Sequence, residues 1–594
     1  PPPPPAPCST PTAPSASSAP TTPAAGAATC WPTTSSTNGN ICPDGSLDCP
    51  GLAVWRAQPQ LNTRDPNDRV LLTSNSPGGT GVGFRWSQLS AQQQAWLNIN
   101  PETGIADGLG EQRLRFLRGE RTQEQSNGGP LRNRNHIMGA VVESNTVYVS
   151  APSAGYTYTA AFPEGGSYAN FVAGNRNRRS AVYVGANDGM LHAFDAGVPD
   201  DPTTPGNEAV PGTGRELFAY VPYEVSRNLN RLTAPEFSFV PTVDGTPVVK
   251  DVYIGGQWRT VLLSNLRGGG QGVFALDITN PVATETDAAS RVLWEFSDDY
   301  ALGDASRLGY TYGRPNFARL NDGTWVAVIP GGYNNESSID YATRFLPNAG
   351  NDTVVGNGRA SLFIINLASG ALIREVVLPT VANGLAEPVI GDYEGDFVDD
   401  VAIMGDIVGN VWRVDLANWA VDRLFQPAVL NARPITRPRL FPDPISQGFT
   451  VVVGTGKFIE QGDRTTTLPQ RQVIMGVRDL GRNSPRYPAQ LTNMIQQAFS
   501  GLDGNGFFQM AAPQEVLPSH GGWYIQIGNT GLDARLAGER VIDAAQAYFQ
   551  PGFALFESFI PTDDPCQTRS VGALYAFAAS DGAWTIPGGG AAAA

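Results

Sequence analysis

The feature that most constrains the fold of this chain is a recurring unit of β-branched strand, glycine-containing turn and second strand. It first appears as "SAVYVGANDGMLHAFDAG" (180–197), where an Asn-Asp-Gly turn joins two strands. Related units follow at 259–281, 324–370, 400–418, 449–479 and 570–583, and several close on an aspartate, as at Asp195, Asp277 and Asp415. Upstream of four of them lies a proline-initiated strand: "GTPVV" (245–249), "GRPNFARL" (313–320), "AEPVIGD" (386–392) and "TRPRLF" (436–441). One such unit cannot bury both faces of its sheet alone, so the repeat predicts an all-β propeller rather than a sandwich array. Composition agrees. Glycine (67) and proline (48) of 594 residues exceed the usual ~7 % and ~5 %.

Segments outside the repeat divide the chain into an expected Pro/Ser/Thr/Ala-rich extension at 1–50, a mixed segment at 51–175, the propeller at 176–587 and a tail without assignable role at 588–594. The extension is too polar to offset its ordering entropy and reads as a stalk. In the mixed segment "WSQLSAQQQAWLN" (86–98) has helical spacing behind a serine cap. An arginine cluster follows at 113–134, with Glu111, Glu120 and Glu124 close enough to predict internal ion pairs over an anion site. The stretch "QLTNMIQQAFSG" (490–501) predicts a helical insertion. Four of the five cysteines (Cys8, Cys30, Cys42, Cys49) lie in the extension and one, Cys566, near the end. With no Cys-x-x-Cys pair and three scattered histidines, disulfides in an exported protein fit better than zinc.

A net charge of −15 argues against a nucleic-acid partner, since phosphate binding needs clustered Lys and Arg. No apolar run reaches 18 residues, so no transmembrane helix is expected. Starting at Pro1 without an initiator Met, the chain is expected to be a processed mature protein or a fragment.

The stretch "GDYEGDFVDDVAIMGD" (391–406) carries the chemistry. Asp392, Glu394, Asp396 and Asp400 stand at positions 1, 3, 5 and 9 of a loop, the alternation by which a tight turn points oxygens at one ion. Val398 at position 7 offers its carbonyl. Position 12 is Ile403 rather than Glu and position 6 is Phe397 rather than Gly, so this is not an EF-hand, and its flanks read as strands. Calcium suits such a set better than magnesium, which prefers fewer carboxylates and retained waters. The alternative is a charged turn with no ion.

Several segments, in order, resemble the PilY1 family of type IV pilus tip-associated proteins. They are "RLRFLRGERTQEQSNGGPLRNRNHIMGAVVES", "VYVGANDGMLHAFDA" with "GRELFAYVPYEV", "FSFVPTVDGTPVVKDVYIGGQWRTVLLSNLRGGGQGVFALDIT", the acidic loop with its following strands, and the closing segment at 538–582 that includes Cys566. The resemblance covers residues 110–585 and implies a modified seven-bladed propeller. It also implies Ca²⁺ bound by Asp392, Glu394, Asp396 and Asp400 with the Val398 carbonyl, and an exported, non-enzymatic role at the pilus tip on the cell surface. That role comprises pilus assembly, control of extension and retraction, twitching motility and adhesion to surfaces or host cells, with minor pilins as partners. Departures are Glu394, where a shorter side chain is usual, and Ala140 in place of an Asp. No Arg-Gly-Asp or Asp-x-Ser-x-Ser motif is present. One rival is a pyrroloquinoline-quinone dehydrogenase, whose blade repeat "DGMLHAFDAGVP" also resembles. That chemistry usually uses a vicinal Cys-Cys pair, absent here, and a tryptophan docking pattern that is not expected to recur from blade to blade. The other rival is a generic secreted adhesin with a structural calcium.

Overall fold

The computed structural model describes residues 55–583, apart from 200–209, 298–307, 334–359, 381–383, 429–432, 483–487, 548–551, 562–571 and the single positions 444, 445, 447, 460, 469 and 505. The stalk, all five cysteines and the tail lie outside the described residues.

Strands dominate, in sequential antiparallel sheets. The second sheet runs Val248–Ile254, Gln257–Asn265, Gly272–Asp277, Val292–Ser297, and the third Asn316–Arg319, Trp325–Pro330, Ala360–Asn366, Leu372–Leu378. In the fourth the order is Val389–Gly391, Val401–Gly405, Val411–Asp415, Val421–Phe425. Pro247, Pro315, Pro388 and Pro438 each stand just before the first strand of a sheet. That strand is the edge of its sheet in the second to fifth sheets, the one place where a missing N–H costs no ladder bond. The closing aspartates work as turn caps. Asp277 Oδ1 accepts from Thr279 N at 2.9 Å and Asp415 Oδ1 from Ala417 N at 2.9 Å, which tightens the turn into the fourth strand.

The first sheet draws on both the mixed segment and the repeat. Strands Leu71–Ser74, Gly81–Gly83 and Val147–Val149 join Ser180–Ala186, Met190–Val198 and Glu216–Val221, with Leu71–Ser74 parallel to Glu216–Val221. A fifth sheet (Arg439–Pro442, Phe449–Gly454, Val473–Arg478, Gly522–Gln526, with Ile495–Gln497) and a sixth (Gln546–Ala547, Phe553–Glu557, Leu574–Ala578) complete the set, beside a hairpin of Phe499–Leu502 and Phe508–Met510. The resemblance implied seven blades. Among the described residues six sheets have three or more strands, and the hairpin is the seventh hydrogen-bonded sheet.

Side-chain alternation explains why the sheets stack around one another. On Val401–Gly405, Ala402 and Met404 pack into the core shared with the third sheet, while Val401 and Ile403 pack into the core shared with the fifth. Similar cores join the first sheet to the second, the second to the third and the fifth to the sixth. Both faces of each central strand are therefore dry. Each fully buried Val, Ile or Leu contributes about 1.5–3 kcal/mol, which no isolated blade could collect.

Two expectations are corrected. The 490–501 stretch is not a helix but a 3₁₀ turn at Leu491–Asn493 followed by the strands Ile495–Gln497 and Phe499–Leu502. Ile495–Gln497 pairs in parallel with Gly522–Gln526, so an available sheet edge overrides weak helical spacing. Tryptophan docking does recur. Trp294 Nε1 of the second sheet donates to Leu367 O of the third at 2.9 Å, and Trp523 Nε1 of the fifth donates to Ala579 O of the sixth at 2.7 Å. Each indole lies against a left-handed glycine, Gly370 (φ 72°) or Gly582 (φ 69°), where a Cβ would stand 2.6 or 2.4 Å from the tryptophan.

The helix read at 86–98 forms as Ala91–Asn98, closed by a reciprocal capping box between Ser90 and Gln93. Ion pairs account for much of the arginine cluster: Arg115 meets Glu111 at 2.8 Å, and Arg134 meets Glu124 at 2.9 Å. Among the described residues no helix is long and apolar enough to cross a membrane.

Candidate metal centre

The acidic loop joins the first two strands of the fourth sheet, Val389–Gly391 and Val401–Gly405, at one end of the blade. Backbone donors hold it in shape. Asp392 spans the turn, its Oδ1 accepting from Gly395 N at 2.7 Å and its Oδ2 from Phe397 N at 2.8 Å. Asp396 Oδ1 accepts from Val398 N at 2.9 Å. Asp400 is buried, its N–H donating to Gly391 O at 2.8 Å and its Oδ2 accepting from Tyr393 N at 2.7 Å.

Asp392, Glu394 and Asp400 each offer an oxygen within 4.8 Å of the other two. The structure therefore brings together three of the four carboxylates expected from the spacing. Asp396 lies outside that triad and caps the backbone of Val398 instead. Ile403, at position 12, is fully buried in strand Val401–Gly405, so the loop ends in the sheet before a twelfth ligand could be supplied.

Phe397 departs from the EF-hand residue but not from its backbone. It has φ 69°, the left-handed region that a glycine usually takes. Aromatic packing holds it there: its ring lies 5.5 Å from Tyr156 and 5.3 Å from Phe162. Thr159 Oγ1 donates to Asp396 O at 3.2 Å, so the 156–162 segment clamps the outside of the loop. On the other side Asp399 Oδ2 accepts from Arg319 N at 2.7 Å, and burial pushes its carboxyl up.

Two contacts from distant sequence complete the site. Tyr393 Oη donates to Asp479 and accepts from Arg413 Nε at 2.9 Å. Burial first, then the Asp479 charge, pushes this phenol far up. Arg482, three residues beyond Asp479, reaches Asp400 Oδ1 with its guanidinium and lies 3.3 Å from Glu394 Oε2. Asp400 Oδ1 is buried and accepts no hydrogen bond. Sequence reasoning missed Arg482, which is 88 residues from Glu394 and carries no motif of its own.

The donor set fits a hard divalent cation. Three convergent carboxylates, one of them with a buried oxygen met only by the Arg482 guanidinium, and a frame of backbone N–H groups that fixes the others are what an oxygen-ligated ion requires.

Comparison with known proteins places this chain in a family. Residues 138–428, which run through the end of the fourth sheet, match the PilY1 beta-propeller domain. The type IV pilus biogenesis factor PilY1 of Pseudomonas aeruginosa strain PAK is 33 % identical over 571 residues, covering 86 % of this chain and 44 % of the relative. A PilY1 homolog of Xylella fastidiosa is 29 % identical over 538 residues, covering 83 % of this chain and 33 % of the relative. The chain thus spans less than half the length of these curated relatives. The crystal structure of the Pseudomonas aeruginosa PilY1 C-terminal domain aligns with a TM-score of 0.53 at 27 % identity, covering 74 % of this chain and 86 % of that one. Blade repeat, sequence identity and solved fold agree, and the chain belongs to the PilY1 family.

Proposed function

We propose that this chain is an exported, non-enzymatic, calcium-binding type IV pilus factor acting at the pilus tip, where it supports assembly, the balance of extension and retraction, twitching motility and surface adhesion. The observation that carries the reading is the convergence of Asp392, Glu394 and Asp400 within 4.8 Å in a PilY1-family propeller whose relatives are named pilus biogenesis factors. When bound, Ca²⁺ supplies a positive centre that ties the loop's carboxylates together. Asp392, Glu394 and Asp400 would hold it, with Asp396 and the Val398 carbonyl as further ligands.

The chain's own residues do the rest. Phe397 and Thr159 fix the outer wall of the loop against the 156–162 segment. Tyr393, through Asp479 and Arg413, ties the loop to the turn after Val473–Arg478 in the fifth sheet. A change in loop shape is therefore transmitted to the neighbouring blade, where a partner such as a minor pilin can read it.

The test is complementation of a strain lacking this gene. The native chain should restore piliation and surface motility, and the Asp392→Asn/Asp400→Asn double variant should restore piliation but not normal motility. Normal piliation and motility in the deletion strain itself would overturn the proposal.

A further inference from the structure

Asp400 Oδ1 is a buried oxygen that accepts no hydrogen bond from the rest of the loop. Its side chain is 2 % exposed, against 53 % for Glu394. Such an oxygen is costly unless a positive charge lies against it. That charge is the guanidinium of Arg482, which contacts Asp400 Oδ1 and stands 3.3 Å from Glu394 Oε2. These are two of the three carboxylates of the candidate metal centre.

Arg482 is built to reach this point and to leave it. Its main chain follows Asp479, which is fully buried, hydrogen-bonded by Tyr393 Oη from inside the acidic loop, and paired through its backbone with Phe449. The root of the arm is thus fixed to the site it serves. The arm itself is 41 % exposed and makes no short contact within the loop other than these carboxylates. Released, the guanidinium regains water, so departure has little desolvation to overcome.

We infer that Arg482 is a tethered competitor for the cation: in the ion-free loop its guanidinium occupies Asp400 and Glu394, and it must swing out when a divalent cation binds. This inference rests on the calcium reading of the loop. It makes Arg482 the residue that sets the affinity of the site. An ion that binds only the arginine-out form has its apparent dissociation constant raised by the inverse of the fraction of loops in that form. It also gives the loop two ordered states rather than one ordered and one collapsed by carboxylate repulsion.

The experiment is calorimetric titration of CaCl₂ into the full chain and into Arg482→Gln and Arg482→Lys, with melting temperatures of each in EDTA and in saturating CaCl₂. The Gln variant should bind calcium about three- to tenfold more tightly than the native chain, with the Lys variant between them. Its melting temperature should fall in EDTA yet match the native chain in calcium, a split that a merely structural arginine would not produce. Binding by the Gln variant alone would be the same result in stronger form. Equal or weaker binding by the Gln variant, where the native chain does bind, would overturn the role of Arg482 and leave the calcium site standing. No heat from the native chain or either variant would remove the calcium reading and this inference with it.

Discussion

In the first sheet, Glu216 takes two 2.8 Å hydrogen bonds from Arg69 and a third contact, also 2.8 Å, with His192 Nδ1, and all three side chains are buried. His192 Nε2 goes on to Asp188 at 3.1 Å, and Asp188 Oδ2 accepts from Gly139 N at 2.9 Å. In the loop after Gly391, by contrast, a buried carboxylate oxygen of Asp400 meets only the tip of a 41 % exposed arginine. Both regions gather acidic groups around a cation. In the first the positive groups, Arg69 and His192, are buried and hydrogen-bonded to the carboxylates, so the cluster is a structural brace. In the second, negative charge outnumbers a movable cation, which suits an exchangeable ion.

Removing one partner from the brace should have the largest effect. Arg69→Met leaves Glu216 buried beside His192 without its bidentate partner, and breaking such a pair costs about 3–5 kcal/mol. Urea unfolding should show this loss equally in EDTA and in CaCl₂. A loss that shrinks in calcium would mean that the two clusters are coupled and the contrast is false.

Alkaline pH should act next, on the same brace. Burial alone pushes His192 down, but the charge and hydrogen bond of Asp188, then those of Glu216, raise it to about 9. A pKa raised above the ~6.5 of the unfolded chain contributes stability that is complete below about pH 6.5 and is lost as pH rises through 9. Unfolding free energy should therefore fall by on the order of 3 kcal/mol between pH 6.5 and pH 10. His192→Gln should be less stable at pH 6.5 and flatter across that range. A native chain with a flat profile would show that the histidine is neutral and the brace weaker than its geometry indicates.

Much of this was legible in sequence because it is local. The strand-turn-strand repeat, the prolines ahead of edge strands and the aspartates that cap turns are all decided within a few residues. The acidic loop was legible for the same reason, down to Asp392, Glu394 and Asp400, because alternate residues of a tight turn share a side. What failed was non-local. The left-handed backbone of Phe397 depends on Tyr156 and Phe162, more than two hundred residues upstream, which pack on its ring. The strand at Ile495–Gln497 read as helix because its partner is some thirty residues downstream in Gly522–Gln526. Tryptophan docking was missed because each indole and its glycine come from different sheets. Its recurrence removes one of the two grounds for setting the quinone enzyme aside; the missing Cys-Cys pair remains.

The central claim is that the 391–406 loop holds an exchangeable divalent ion, and calorimetry with CaCl₂ tests it most directly. The native chain should bind one ion and gain about 2.7 kcal/mol of unfolding free energy at a hundredfold excess over the dissociation constant. The Asp392→Asn/Asp400→Asn variant should show neither the heat nor the gain while keeping its fold. The same binding heat in that variant, or none in the native chain, would contradict the account.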